Sequence, residues 1–282
     1  MTSAQLAPTR AFIRRHRAIG SGRLTLASGA GLGVGLVWLS LLVLIPLAAV
    51  VGTAVAGGWD AFAATLTNTQ TLAAVRLTVL ESAGVTALNV VMGLAIAWVL
   101  VRDRFPGAAV LDVVIDIPFA LPTIVAGLVL LALYGPQSPL HVDVANTRIA
   151  VFLAMAFVTL PFVVRTVQPL LGELDPEVEE AAAALGAKPW TSFRRVLLPS
   201  LAPAIAAGAA LSFARAVSEY GAMVLLSGNL PNRTEVAAVR VLSYVEGGDK
   251  AGAAAIATLM LVVALLALVF LDLAQRWVTR RG

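Results

Sequence analysis

The chain has 282 residues, of which 59% are hydrophobic and only 13% are charged, and its formal net charge at pH 7 is +4. Soluble domains carry about 25% charged residues, so this composition indicates a membrane protein and excludes a soluble globular domain. Cysteine is absent, which excludes a disulfide framework and any metal site with thiolate ligands. The basic residues flank apolar runs, a pattern that reports membrane topology and not nucleic-acid binding.

Apolar runs divide the chain into predicted membrane spans, each of which needs about 20 residues to cross as a helix. A polar, arginine-rich tail over residues 1–30 comes first, and the run after it is too long for the apolar region of a signal peptide. A membrane domain over residues 31–276 and a short tail over 277–282 complete the predicted organisation. The predicted spans are 31–57, 82–101, 117–135, 149–164, 201–229 and 251–271.

Lysine and arginine are unevenly distributed among the segments that join these spans. With the N-terminus inside, 14 of the 20 lie in cytoplasmic segments and 5 in outer ones, and Arg215 lies within a span. Cytoplasmic segments are normally enriched in these residues, so both termini are predicted to be cytoplasmic. The same orientation places the connection between the fourth and fifth spans on the cytoplasmic side.

That connection, which we call the 175–199 segment, is charged and is predicted to form two short amphipathic helices. Asp175 is a suitable N-cap, and proline is favourable at the next position, Pro176. Gly186 is predicted to end the first helix in the left-handed conformation. The second helix is predicted to begin at Pro189 and to end at Pro199. The predicted apolar faces are Val178, Ala181, Ala182 and Leu185 in the first helix and Trp190, Phe193 and Leu197 in the second.

The 175–199 segment also carries a spaced signature. Its residues are Glu180, Ala181, Ala182, Gly186, Val196, Leu198 and Pro199. The pattern resembles the EAA motif of ABC importer permeases, in which a cytoplasmic coupling helix sits in a groove of the ATPase subunit. The resemblance implies that these residues couple the chain to an ATPase. An ordinary helical loop that covers the end of the membrane domain is the alternative.

Two prolines lie near the start of the third predicted span. Pro118 and Pro122 are predicted to break or kink this helix, because proline lacks a backbone N–H and clashes with the preceding turn. Inside a membrane, backbone freed in this way is tolerated only against protein or a water-lined path. The two interpretations are therefore a bend that serves packing and a wall of the translocation path.

Two opposite charges, Arg215 and Glu219, lie four residues apart in the fifth predicted span. At this spacing on a helix they can form an ion pair. Ionisable residues inside a span are costly unless paired, so each is a candidate functional residue. One interpretation is an internal pair that holds the helices in place, and the other is a gate or part of an anion path.

Further stretches extend the resemblance over most of residues 35–275. They include residues 89–94, 98–102, 105–107, 117–123, 215–221 and 227–231, and they resemble T-type permease subunits of sulfate and thiosulfate importers. The resemblance implies an all-α, type I ABC importer permease fold with six transmembrane helices in the inner membrane of a bacterium. It also implies sulfate or thiosulfate import by alternating access, with molybdate or tungstate import as the alternative.

The same resemblance implies partners: a second, related permease subunit in a heterodimer, two ATPase subunits and an extracytoplasmic sulfate-binding protein. The sequence lacks the nucleotide-binding pattern G-x-x-x-x-G-K-[ST], so ATP and Mg²⁺ are expected on the partner ATPase and no cofactor on this chain. The two histidines, His16 and His141, lie outside the predicted spans, so no catalytic or metal site is expected. A secondary transporter would need internal repeats, and a scaffold or sensor would need an output domain; neither feature is evident.

Overall fold

A computed structural model describes residues 26–279, except the side chains of residues 26, 27, 176, 178, 274 and 277–279, and every regular element in this range is helical. Most of the predicted N-terminal tail and residues 280–282 lie outside the described range. The chain divides into two compact units, Met1–Ala49 and Val50–Gly282. The described part of the first unit comprises α1 (Leu26–Leu39), a π-helical turn (Ser40–Leu44) and the beginning of α2 (Ile45–Ala56).

The second unit begins within α2 and contains the remaining helices. Five helical stretches of the described chain are long and apolar enough to cross a membrane, or six if one bent pair counts as a single span. The helices are α3 (Trp59–Thr67), α4 (Thr69–Arg102), α5 (Ala108–Ala120), α6 (Thr123–Tyr134), α7 (Arg148–Glu173), α8 (Pro176–Ala184), α9 (Pro189–Ser192) with a π-helical turn (Phe193–Leu197), α10 (Leu198–Val217), α11 (Gly221–Leu226), α12 (Ala237–Glu246) and α13 (Lys250–Thr279).

Helices α4, α7 and α10 pack against one another at the centre of this unit. One apolar cluster lies towards the 175–199 segment and includes Val163, Val167 and Leu201. A second cluster lies towards the opposite end and includes Val85 and Met155. Between the clusters, the buried amide Nδ2 of Asn89 on α4 donates hydrogen bonds to Thr159 Oγ1 on α7 at 2.8 Å and to Ser212 Oγ on α10 at 3.5 Å. These bonds satisfy the buried amide and connect the three helices.

Glycines allow the three backbones to approach closely. A Cβ on Gly93 of α4 would lie 2.8 Å from Val163 Cβ, and one on Gly208 of α10 would lie 2.9 Å from Val163 Cα. Without the hydrophobic driving force that acts in water, membrane helices gain their association largely from such close packing at small residues. The crossing of α4, α7 and α10 therefore depends on both glycines.

The third predicted span consists of two helices, α5 and α6, with an angle of 116° between them. Leu121, which precedes Pro122, has an extended backbone (φ −88°, ψ 135°), as the residue before a proline prefers, and α6 begins immediately after this proline. The prediction of a break is thus confirmed at Pro122. At Pro118 the helix does not break, because α5 continues through this residue to its end at Ala120.

Other span boundaries differ from the predictions as well. The second span was expected to begin at residue 82, but α4 begins at Thr69, and the sixth was expected to end at residue 271, but α13 continues to Thr279. The fourth span was expected to stop at residue 164, but α7 continues to Glu173 because Arg165 finds acidic partners on α5. The fifth span was expected to reach residue 229, but α10 ends at Val217 and a separate short helix, α11, follows.

Candidate functional site

The first helix of the 175–199 segment, α8, begins as predicted. The side chain of Asp175 accepts a hydrogen bond from the backbone N–H of Glu177 at 3.0 Å, and proline occupies the first position of the helix. This bond satisfies one of the N–H groups that have no partner within the helix. Acidic side chains in the first turn, Glu177 and Glu179, also suit the positive end of the helix dipole.

The end of α8 confirms the predicted role of Gly186 as a left-handed cap, with φ +83°. The N–H of Gly186 bonds to the carbonyl of Ala183 at 2.9 Å, and that of Ala187 bonds to the carbonyl of Ala182 at 3.0 Å. This pair of bonds is the Schellman arrangement. A Cβ on Gly186 would meet no atom within 4 Å, so glycine is favoured by backbone conformation and not by lack of space.

The second helix begins at Pro189 as predicted, but the prediction that Pro199 ends it is wrong. Helix α9 passes through the π-helical turn directly into α10, which gives one continuous stretch, Pro189–Val217. The N–H of Leu198 bonds to the carbonyl of Phe193, five residues earlier. A proline inside a helix lacks an N–H and crowds the preceding turn, and the wider π turn just before Pro199 relieves both problems.

The predicted apolar face of α8 is largely exposed among the described side chains, although Ala182 is partly buried. The side chain of Leu185 is 90% exposed, and Ala181 is exposed as well. Val178 belongs to the same predicted face, but its side chain lies outside the described residues. In the second helix Trp190 is 68% exposed, whereas Leu197 is buried in the apolar cluster nearest the segment. Of the signature residues, Glu180, Ala181 and Gly186 are exposed, and Ala182, Val196, Leu198 and Pro199 are partly buried.

A cavity of about 560 Å³ is lined by residues of both helices of the segment and by Trp98 of α4. Its aromatic wall consists of packed rings: the ring centroid of Phe193 lies 5.7 Å from that of Trp98 and 5.5 Å from that of Trp190. Glu179 and Glu180 line the same cavity. The segment therefore presents both apolar and acidic groups at its surface.

The predicted ion pair forms, with 2.8 Å between Arg215 Nη1 and Glu219 Oε2. It lies at a helix end and not within a continuous span, because Glu219 follows the last residue of α10. The carboxylate is completely buried, whereas the Arg215 side chain is 29% exposed. The other oxygen, Glu219 Oε1, accepts a hydrogen bond from the N–H of Ala222 at 2.9 Å. The carboxylate thus holds both α10 and the start of α11.

The structure brings this ion pair close to the broken span. A Cβ on Gly221, two residues after Glu219, would lie 2.9 Å from the backbone nitrogen of Ile124 on α6. A Cβ on Gly127 of α6 would lie 2.8 Å from Ala222 Cα. Helix α11 therefore packs tightly on the helix that begins after Pro122, whereas Pro118 lies in α5, on the other side of the bend.

Sequence reasoning missed Arg165, which lies within α7, because it took residue 165 as the end of the helix. Its Nε and Nη2 contact the two carboxylate oxygens of Asp116 at 2.7 and 2.6 Å, and its Nη1 lies 2.8 Å from Asp112 Oδ1. Gln168 accepts a further bond from Nη1 at 2.8 Å. Two aspartates one helical turn apart in a largely apolar segment were the available signal for this network.

A contact between α4 and α8 was also missed. Arg102 Nη2 lies 2.7 Å from Glu179 Oε1, and the same nitrogen donates to the carbonyl of Leu174 at 3.4 Å. The partners lie more than seventy residues from Arg102 in the sequence, so no local pattern relates them.

Comparisons with known proteins agree with this architecture. Residues 89–281 match the family described as binding-protein-dependent transport system inner membrane component. The chain is 41% identical over 271 residues to the sulfate transport system permease protein CysT of Escherichia coli (strain K12), covering 94% of this chain and 98% of that protein. It is 40% identical over 251 residues to the protein of the same name from Synechocystis sp., covering 86% and 88%. A crystal structure of a bacterial alginate ABC transporter in complex with a pentasaccharide-bound periplasmic protein contains a chain of the same fold, with a TM-score of 0.72, 17% identity, and coverage of 89% of this chain and 94% of that one. The chain therefore belongs to the family of inner membrane components of binding-protein-dependent transport systems.

Proposed function

We propose that this chain is the permease subunit of an ATP-driven importer that moves sulfate or thiosulfate across the inner membrane. The observation that carries the proposal is the high identity, over nearly the full length of both chains, to a permease of a sulfate transport system. Family membership supports an inner membrane component that receives substrate from a binding protein. No part of the proposal requires ATP chemistry on this chain, and ATP and Mg²⁺ belong to the partner ATPase.

The 175–199 segment is proposed as the ATPase contact. The exposed, apolar Leu185 beside the exposed Glu180 and Ala181 supports this role, because a partner surface would remove the apolar side chain from water. The small alanines allow a partner to approach the helix backbone closely. In the assembled importer, two ATPase subunits would meet this segment and its counterpart on a second, related permease.

The proposed mechanism is alternating access, with motion transmitted through α10. Because Pro189–Val217 is one continuous helical stretch, a push on α9 reaches the far end of α10 without crossing a flexible loop. Arg215 and Glu219 lie at that far end, beside the helix that follows Pro122. Closure of the ATPase subunits would therefore shift the α10–α11 junction against the broken span.

We propose that this junction borders the translocation path. A divalent anion inside a membrane needs compensating charge, and the side chain of Arg215 is partly exposed while that of its partner Glu219 is fully buried. Pro122 forms the adjacent break, and Pro118 is retained as a proposed wall residue on the other side of the bend. The alternative is that the ion pair only holds α10 and α11 in place.

Both termini and the 175–199 segment are proposed to be cytoplasmic. The chain lacks native cysteine, so single cysteines can test this orientation. In sealed cells, Gln137→Cys should react with a membrane-impermeant thiol reagent, whereas Leu185→Cys should react only after the cells are opened. Labelling of Leu185→Cys from outside would contradict both the orientation and the ATPase contact.

The function itself is tested by uptake of labelled sulfate into vesicles that contain the complete importer with its binding protein and ATP. We expect ATP-dependent uptake that excess sulfate or thiosulfate competes away and molybdate does not. Uptake of molybdate without uptake of sulfate would contradict the proposed substrate and would favour the molybdate importer.

A further inference from the structure

Three helices meet at the side chain of Arg102, the last residue of α4. Its Nη2 forms an ion pair with Glu179 on α8 at 2.7 Å and bonds to the carbonyl of Leu174, the residue that ends α7, at 3.4 Å. The Arg102 and Glu179 side chains are only 17% and 30% exposed. One guanidinium thus connects α8 to the ends of two central helices.

The charges suit their positions. A cation at the last residue of α4 faces the negative end of that helix dipole, and a carboxylate in the first turns of α8 faces the positive end of the other. Both contacts are made by one nitrogen, Nη2, whose two N–H groups are held in fixed directions by the planar guanidinium, so one can face the carboxylate and the other the carbonyl. A lysine ammonium has the charge without this geometry.

Helix α8 has few other anchors in the described part of the chain. Most of its side chains are exposed, including Glu180, Ala181 and Ala183, and Leu185, which follows its last residue, is almost wholly so. Covalent continuity joins α8 to α7 only through Leu174 and Asp175. The ion pair between Glu179 and Arg102 of α4 is therefore the contact that fixes the position of α8.

We propose that Arg102 is a positioning residue for energy coupling: it locks α8 to the ends of α4 and α7. Displacement of α8 then moves those two helices together with α10. Without this ion pair, the ATPase would still bind the 175–199 segment. Helix α8 would then shift by itself, and α4, α7 and α10 would not move with it. The inference rests on the proposed function, since it assumes that an ATPase pushes on this segment.

The test compares transport with ATP hydrolysis in the complete importer reconstituted into vesicles. The variants are Arg102→Gln, Arg102→Lys, Glu179→Gln and the charge reversal Arg102→Glu/Glu179→Arg. Arg104→Gln and Glu173→Gln are matched controls. Both residues are exposed and lie close in sequence to the helices that carry the ion pair, and each substitution removes the same charge as the corresponding test variant.

We expect sulfate imported per ATP hydrolysed to fall about three- to tenfold in the Gln variants, which is the range for losing one pairwise interaction. Arg102→Lys should fall nearly as far. The charge reversal should recover part of the loss, because it restores the ion pair but neither the bond to the Leu174 carbonyl nor the favourable placement of each charge in its helix dipole. Both controls should match the unmodified importer. If a single variant assembles poorly, recovery of assembly by the charge reversal supports the proposal equally.

Three results would overturn the positioning role: unchanged import per ATP in the Gln variants, a charge reversal as impaired as either single variant, or an equal loss in the controls. Failure of this inference is distinguishable from failure of the proposed function. The unmodified importer reports whether sulfate is transported, and Gly186→Val reports whether the segment couples to the ATPase independently of Arg102.

Discussion

The ion pair at the end of α10 predicts unequal effects of removing either charge. Arg215→Met leaves the carboxylate of Glu219, which has no exposed surface, without its counterion. Breaking a buried pair in this way costs about 3–5 kcal/mol, because the remaining charge stays out of water. Glu219→Gln leaves Arg215, whose 29% exposed side chain can turn towards solvent, and its amide oxygen can still accept from the Ala222 N–H. We expect a cost of about 1–2 kcal/mol for this change.

The double variant Arg215→Met/Glu219→Gln removes both charges and keeps the acceptor for Ala222. We expect it to be more stable than Arg215→Met alone and to lie within about 1–2 kcal/mol of the unmodified protein, because no uncompensated charge remains. The sum of the two single effects should therefore exceed the double effect by about 3–5 kcal/mol, a strong non-additivity of the kind that residues in direct contact show.

The assay is reversible unfolding of the purified subunit in mixed detergent micelles, followed by sulfate uptake in the assembled importer. Equal destabilisation by the two single changes, or additive effects in the double variant, would refute the argument from burial. Uptake then separates the two interpretations of the pair. A stable double variant that transports sulfate favours a packing role, whereas a stable and assembled variant without transport favours a gate.

Three further predictions concern the 175–199 segment and the helix crossings. Gly186→Asn should retain import per ATP better than Gly186→Val, since only the left-handed backbone restricts this open position; equal loss in both would contradict this. Gly208→Ala should reduce the yield of folded protein because its Cβ would meet Val163 Cα at 2.9 Å, whereas Gly172→Ala, a control with no atom within 4 Å, should not. Arg165→Lys should lower the thermal stability of the subunit by loss of the two-pronged contact with Asp116, and an unchanged unfolding temperature would show that charge alone suffices.

Local chemistry in the sequence predicted the features that depend on neighbouring residues. Composition and run length identified a helical membrane protein, because the requirement for internal backbone hydrogen bonds acts on each span separately. Asp175 and Gly186 marked the ends of α8, and the four-residue spacing marked the pair of Arg215 and Glu219; each of these geometries is confirmed. Such features arise within one or two helical turns, so a single sequence carries them.

The tertiary structure decided what depends on distant segments. Arg165 continues α7 because aspartates about fifty residues away neutralise it, and Arg102 holds α8 across more than seventy residues. Helix α9 continues into α10 past Pro199 because a π turn precedes this proline, and the spacing of apolar residues in the sequence does not reveal such a turn. Charges and prolines look like boundaries in an apolar sequence because they are costly when unsatisfied. Whether they are boundaries depends on partners that only the folded chain supplies.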